Sequence, residues 1–338
     1  MVALTVTDRS NPIQWGETLT FYANSLRFFY CFEAARASQL GCLLFCAFDF
    51  PMIHYNPKSW FSLIFHAYNR QVVRKLLPAM AVMGAFTAGI CYVELELLEQ
   101  PIQLSNAVHS LLGFVLSLFL VFRTNTAYDR WWEGRKQWGS LVNVSRTLAL
   151  RLHEFTDNDA AHAHFNQAIP SFAKALRDHL RPNQSYPAVS PSESDLAGFE
   201  HVPNAWAQSM ERHSAKLLAE GELSAQQHWL VAQNLERMID ILGACERILK
   251  TPVPHSYSMF LKKFIFLYVV TLPIGFVGTF AWWSVPVVML VFYILVSVEL
   301  IAEEIEDPFG VDENDLPLNA LCDTIEANVS EILTTKKG

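Results

Sequence analysis

Three groups of residues in this chain of 338 have types and spacing that could do chemistry. The first is an acidic run comprising Glu299, Glu303, Glu304, Glu306, Asp307, Asp312, Glu313 and Asp315, turned by Pro308 and Gly310. Carboxylates this dense repel one another unless they are solvated, paired with bases, or bridged by a hard cation such as calcium, which takes about six to eight oxygen ligands. The spacing is not that of an EF-hand, and a helix ending in a solvated acidic turn fits equally well. The second group is His162 and His164 beside Asp157 and Asp159, which could be pictured as a metal site. The same residues also make an exposed helix N-terminus, where the dipole favours acids, and that plainer reading is preferred. The third is His109 and Glu299, ionisable residues near or within long apolar segments, where charge is expensive and suggests function. They fall toward opposite ends of their segments and are not placed to meet. There is no Gly-rich phosphate loop, no GxSxG and no HExxH. These residues do not make an enzyme.

The elements that must position them are long apolar helices. Residues 100–122 are 23 positions without a charge, followed at once by Arg123, Arg130, Arg135 and Lys136, with Trp131, Trp132 and Trp138 among them. A helix of that length is roughly 35 Å long, enough to cross a hydrocarbon core of about 30 Å. Basic residues and amphipathic rings at one end mark the cytoplasmic interface. Residues 76–93 are 18 uncharged positions, with Arg70, Arg74 and Lys75 before them and Glu94, Glu96 and Glu99 after, so this span enters from the cytoplasm. Residues 264–298 are 35 uncharged positions, roughly 52 Å as one helix, too long for a single upright crossing. The sequence Ala281-Trp-Trp-Ser-Val-Pro286 divides them. The expectation is four spans, at about 76–93, 105–123, 257–280 and 285–304, with Lys262 and Lys263 snorkelling and both chain ends in the cytoplasm.

Composition agrees with a chain half in lipid and half in water: 51% hydrophobic, 13% aromatic and 17% charged. A net charge of -8 argues against a nucleic-acid partner. The six cysteines show no metal-ligand spacing and read as small buried hydrophobes. Residues from about 130 to 254 are polar, with helical apolar spacing at Leu141-Val144-Leu148, Phe172-Leu176-Leu180 and Val231-Leu235-Met238-Ile239-Leu242, and predict a cytosolic helical domain. A Pro- and Ser-rich stretch from Arg181 predicts a loop. Residues 1–51 carry an apolar core too short to span, and Met52 is a natural start, so 52–338 is taken as the folded unit and 1–51 as an extension of doubtful status.

Phe114, Leu118 and Phe122 recur every four residues and share a helix face, while Gly113 and Ser117 are small residues that permit close helix approach. Around an axis, such a face becomes an apolar ring that gates by dewetting. By periodicity alone, a stripe facing lipid or bundle core is the preferred reading.

Four segments together resemble the bestrophin family, in its bacterial form. They are Leu111-Leu-Gly-Phe-Val-Leu-Ser-Leu-Phe-Leu-Val-Phe-Arg123, Tyr128-Asp-Arg-Trp-Trp-Glu-Gly-Arg-Lys-Gln-Trp-Gly139, Cys245-Glu-Arg-Ile-Leu-Lys-Thr-Pro-Val-Pro254, and Ala302-Glu-Glu-Ile-Glu-Asp-Pro-Phe-Gly310 with Asn314-Asp-Leu-Pro-Leu-Asn319. The resemblance implies an all-α membrane protein with four transmembrane helices and a cytosolic helical domain. It further implies a homopentameric ion channel of the cell inner membrane, in contact with lipid, whose central axial pore has its neck at Phe114, Leu118 and Phe122. This overturns the preference for a passive stripe. Characterised bacterial members prefer monovalent cations and animal members are calcium-activated chloride channels. The expectation is sodium or potassium conduction, with chloride the alternative and a non-conducting membrane scaffold the second. Gln226, after Leu223 and Ser224, falls at the family's cytosolic aperture, where an apolar residue is usual. Asp307, Asp312 and Asp315 match the animal calcium clasp, although Glu304 and Glu306 depart from its pattern, so calcium is the one cofactor the resemblance allows.

Overall fold

The computed structural model describes residues 68–98, 106–181 and 199–335. The expectations for residues 1–51, Met52 and the loop after Arg181 lie outside them. Helices supply all the regular structure among the described residues. Helix α1 is Tyr68–Tyr92, continued by a wider π-helical turn at Val93–Leu97, and α2 is Asn106–Phe155. Then come α3 Asp159–Leu180, α4 Val202–Ala219 and α5 Ala225–Lys250. Helix α6, His255–Phe280, leads through a tight turn at Ala281–Trp283 into α7, Ser284–Glu306, and α8 is Leu318–Thr334.

Among the described residues, three stretches are long and apolar enough to cross a membrane: Arg74–Leu97, Ala107–Phe155 and His255–Glu306. The last is folded on itself at Ala281, whose φ of 48° is in the left-handed region, and α6 packs against α7. The break lies where the Ala-Trp-Trp-Ser-Val-Pro sequence predicts it. Leu116 and Leu120 of α2, Leu261, Ile265, Val269 and Leu272 of α6, and Val288 of α7 form one buried cluster. Gly113 admits α6 to this contact, since a Cβ there would lie 2.6 Å from the Tyr268 hydroxyl. Ser117 does not share that role: it is exposed, and its hydroxyl donates back to the Phe114 carbonyl at 2.7 Å.

The sequence places a boundary near Arg123, but α2 passes through it without a break and runs for 50 residues, about 75 Å. No proline interrupts it, and Arg123 itself is tucked against α7 rather than turned out to water. The lower half of α2 carries Trp138, Leu141, Val144, Leu148 and Leu152 into a second core shared with α3, α4, α5 and α8. Of the apolar positions that the spacing assigns to this core, Ile239 is the exception, 40% exposed. Phe165, Phe172 and Leu176 are fully enclosed, each worth about 2–3 kcal/mol of apolar burial. The cytosolic part extends beyond the expected 130–254, because Leu318, Cys322, Ile325, Val329 and Leu333 present one buried stripe of α8 to it.

Local signals set the helix starts. Asn158 caps α3 by accepting the amides of Ala160 and Ala161 at 2.9 and 3.1 Å. Ser224 and Gln227 form a reciprocal capping box that opens α5.

Candidate functional site

The stripe on α2 stands clear of its own chain. Phe114 is 67% exposed, Leu118 46% and Phe122 54%, while Leu116, Leu120 and Arg123 on the opposite side are buried. An apolar face turned away from the protomer in a membrane helix meets either lipid or other copies. Below it, Tyr128, Trp131 and Trp132 stack with ring centroids 6.1 to 6.5 Å apart, as amphipathic rings do at an interface.

Where the apolar stripe ends, two arginines seven residues apart anchor α2 to the rest of the molecule. Arg123 is 1% exposed; one terminal guanidinium nitrogen pairs with Glu306, and its Nε lies 3.7 Å from Glu299 Oε1. Glu306 is held on its other oxygen by the Val253 amide at 2.9 Å. Arg130 donates to three carbonyls at once: Glu306 at 3.1 Å, Ile248 at 2.7 Å, and Thr251. A planar guanidinium with five donors in a fixed fork can bind three segments in this way. Trp131 Nε1 donates to the Asn314 carbonyl at 3.0 Å, and Gly134 leaves room for Phe309, which a Cβ there would approach at 3.1 Å. The Tyr128–Gly139 motif thus meets the motifs ending at Pro254 and Gly310 in one junction.

Asp307, Asp312 and Asp315 all lie on the turn between α7 and α8. Asp315 Oδ2 accepts the Asp312 amide at 2.6 Å, while Oδ1 is buried without a hydrogen-bond partner. Burial pushes the Asp315 carboxyl up to about 7, with Asp312 and Asp307 adding to the rise and the Asp312 amide and Arg181 opposing it. Burial also raises Asp307, against the pull of Arg130. The turn is closed by its own bonds, Leu316 N to the Pro308 carbonyl at 2.9 Å and Arg181 Nε to the Phe309 carbonyl at 2.7 Å. Among the described residues, the single set of three His, Cys, Asp or Glu ligand atoms lying within 4.8 Å of one another is elsewhere, at His179, His201 and Glu246. The side-chain oxygens of the three aspartates do not converge into such a set.

Gln226 is exposed on the first turn of α5, between the two capping-box residues Ser224 and Gln227. His109 Nε2 lies 3.1 Å from the Thr271 carbonyl and Glu299 lies beside Arg123, so the two do not meet. His162 contacts the Leu152 carbonyl and His164 stacks on His213 at 4.2 Å, so that pair serves two separate contacts near a capped helix start.

The family model for bacterial and fungal bestrophin proteins matches residues 52–331. The chain belongs to the bestrophin family. Among its bestrophin relatives, the voltage-dependent anion channel-forming protein alr2987 of Nostoc sp. is 36% identical over 293 residues, covering 81% of this chain and 92% of the relative. The protein of the same description, sll1024, from Synechocystis sp. is 32% identical over 288 residues, covering 82% and 93%. The crystal structure of a bacterial bestrophin homologue from Klebsiella pneumoniae superposes with a TM-score of 0.70 at 28% identity, over 78% of this chain and 100% of that one. Bestrophins are membrane ion channels and not enzymes, and this chain is one of them.

Sequence reasoning missed Arg123 and Arg130 as structural anchors. Their heptad separation puts both on one helix face and was the available signal. The partners, Glu299, Glu306 and three carbonyls of distant segments, left no local trace.

Proposed function

We propose that this bestrophin conducts anions, with chloride as the main physiological candidate, through the axial pore of a homopentamer, gated where Phe114, Leu118 and Phe122 of five α2 helices close an apolar neck. The observation that carries the pore is the exposed stripe at 114, 118 and 122, backed by a fully packed face against α6 and α7. In a narrow apolar ring, water and ions are unfavourable until the ring widens. Trp229 and Ile239, exposed on the cytosolic helices of the single chain, give further apolar surface for neighbouring copies to cover. In this reading the channel unit is residues 52–338, four helices cross a bacterial inner membrane from cytoplasmic ends, lipid surrounds the outer helices, and Gln226 lines a second, polar constriction.

The cation expectation rests on the resemblance to characterised bacterial bestrophins, with the long-range field of a net charge of -8 as weak support. That field is screened beyond about 8–10 Å at physiological salt and has little hold on an ion inside a neutral neck. The names of the Nostoc and Synechocystis relatives, voltage-dependent anion channel-forming proteins, support the anion reading instead.

The purified protein, fused into a planar bilayer across a roughly tenfold NaCl gradient, should reverse near the chloride equilibrium potential. Reversal near the sodium potential would return the cation reading. Absence of current from intact oligomers would favour a non-conducting membrane scaffold.

A further inference from the structure

Three ligating side chains from three different helices meet in the cytosolic part, away from the pore stripe and the acidic turn. His179 sits in the last turn of α3, His201 is the N-cap of α4, and Glu246 lies near the end of α5. His179 Nε2 is 2.7 Å and His201 Nε2 is 2.8 Å from the same oxygen, Glu246 Oε1, and the ring centroids are 4.3 Å apart with the planes tilted by 48°. All three are partly buried, with side chains 23 to 29% exposed.

We propose that His179, His201 and Glu246 form a site for a divalent cation of the zinc class, closed by a water as fourth ligand. The inference does not depend on the channel reading. Two imidazoles and one carboxylate are a donor set suited to zinc, and hard ions such as magnesium and calcium prefer oxygen alone. Tetrahedral zinc with ligands at about 2.0–2.1 Å separates them by roughly 3.3 Å. The present 2.7 and 2.8 Å contacts need to open by only about half an ångström around the ion. The partial exposure leaves a face for the water and a path of entry.

The surroundings suit a carboxylate that stays ionised. Hydrogen bonding from His201 holds the Glu246 carboxyl below the usual range, burial opposes this, and His179 and Lys250 assist. Lys250 Nζ is 3.6 Å from Glu246 Oε2, so Oε1 is the oxygen left for the ion. His201 Nδ1 accepts the Asn204 amide over a long 3.3 Å, which places the proton of the neutral ring on Nε2. Ion binding at Nε2 would shift that proton to Nδ1 and cost the long cap bond. The site would tie α3, α4 and α5 two residues from Ile248, whose carbonyl Arg130 holds.

The test uses the full chain in detergent, stripped by chelator and titrated with zinc, magnesium or calcium. The expected result is one zinc per chain by elemental analysis, a raised unfolding temperature with zinc alone, and binding that weakens at least about tenfold between about pH 7.5 and about pH 5.5 as protons compete for the imidazoles. His179→Ala, His201→Ala and Glu246→Gln should each weaken binding by more than the roughly tenfold to hundredfold that loss of a supporting group costs. Should a variant misfold, diethylpyrocarbonate modification of the wild-type protein decides: zinc should protect His179 and His201 and leave His162 and His228 as reactive as before. Stoichiometric zinc with no protection of His179 and His201, or no zinc effect in the wild type, would overturn the proposal and leave the three groups as a hydrogen-bonded cluster.

Discussion

Arg123, immediately after Phe122 on α2, holds Glu306 at the end of α7 in an ion pair shielded from solvent, with Glu299 one further contact away. Helix α2 is therefore fixed to the start of the acidic turn by charge as well as by packing. Removing one partner of a buried pair leaves the other charge uncompensated and typically costs about 3–5 kcal/mol. Arg123→Ala should lower the stability of the detergent-solubilised protein by that order, read as a fall in unfolding temperature. Arg123→Ala with Glu306→Gln should recover part of the loss, and an Arg123→Ala protein as stable as wild type would show that the pair is dispensable.

The Asp315 carboxyl titrates near neutrality because it is buried, with a pKa pushed up to about 7. Its pKa is higher folded than unfolded, so the folded state holds the proton more tightly, and its contribution is full at low pH and lost as pH rises through about 4 to about 7. Asp315→Asn should remove that slope, on the order of 1 kcal/mol per pH unit, and be the more stable protein at about pH 8. Calorimetry with calcium at neutral pH should show no heat at this turn. Heat accompanied by proton release that Asp315→Asn abolishes would mean that the turn rearranges to hold the ion.

The close approach of α2 and α6 rests on Gly113, with the Tyr268 hydroxyl 2.6 Å from where a Cβ would be. Gly113→Ala should destabilise by about 1–3 kcal/mol through overpacking. Adding Tyr268→Phe removes the clashing oxygen and should restore part of it, measured by thermal unfolding of both variants.

Cys245 and Cys322 are fully buried, and burial pushes both thiols up to about 12. Since only the thiolate attacks, neither should react with a maleimide in the folded protein, and both should label once the cytosolic core opens in denaturant. Rapid labelling of either under native conditions would show that this core breathes.

Much of this arrangement was legible in the residues. The uncharged runs locate the apolar helices, Ala281-Trp-Trp marks the fold between α6 and α7, and the residues 114, 118 and 122 share one helix face. What escaped was the continuity of α2 past Arg123 and the role of α8. A charge after an apolar run normally signals the membrane edge, but Arg123 is buried by acids that lie far away in the chain, and no window of sequence shows that. The α8 stripe from Leu318 to Leu333 has clear helical spacing, but only packing on α2 and α3 shows that it completes the cytosolic core.

In the proposed channel, Phe114, Leu118 and Phe122 are the gate. Single-channel currents of the wild type and of the triple Ala variant, in planar bilayers under identical salt, test it directly. The expected result is a larger conductance or open probability in the triple variant, since a wider and less apolar neck wets more readily. Unchanged currents would place the stripe against lipid and move the gate elsewhere.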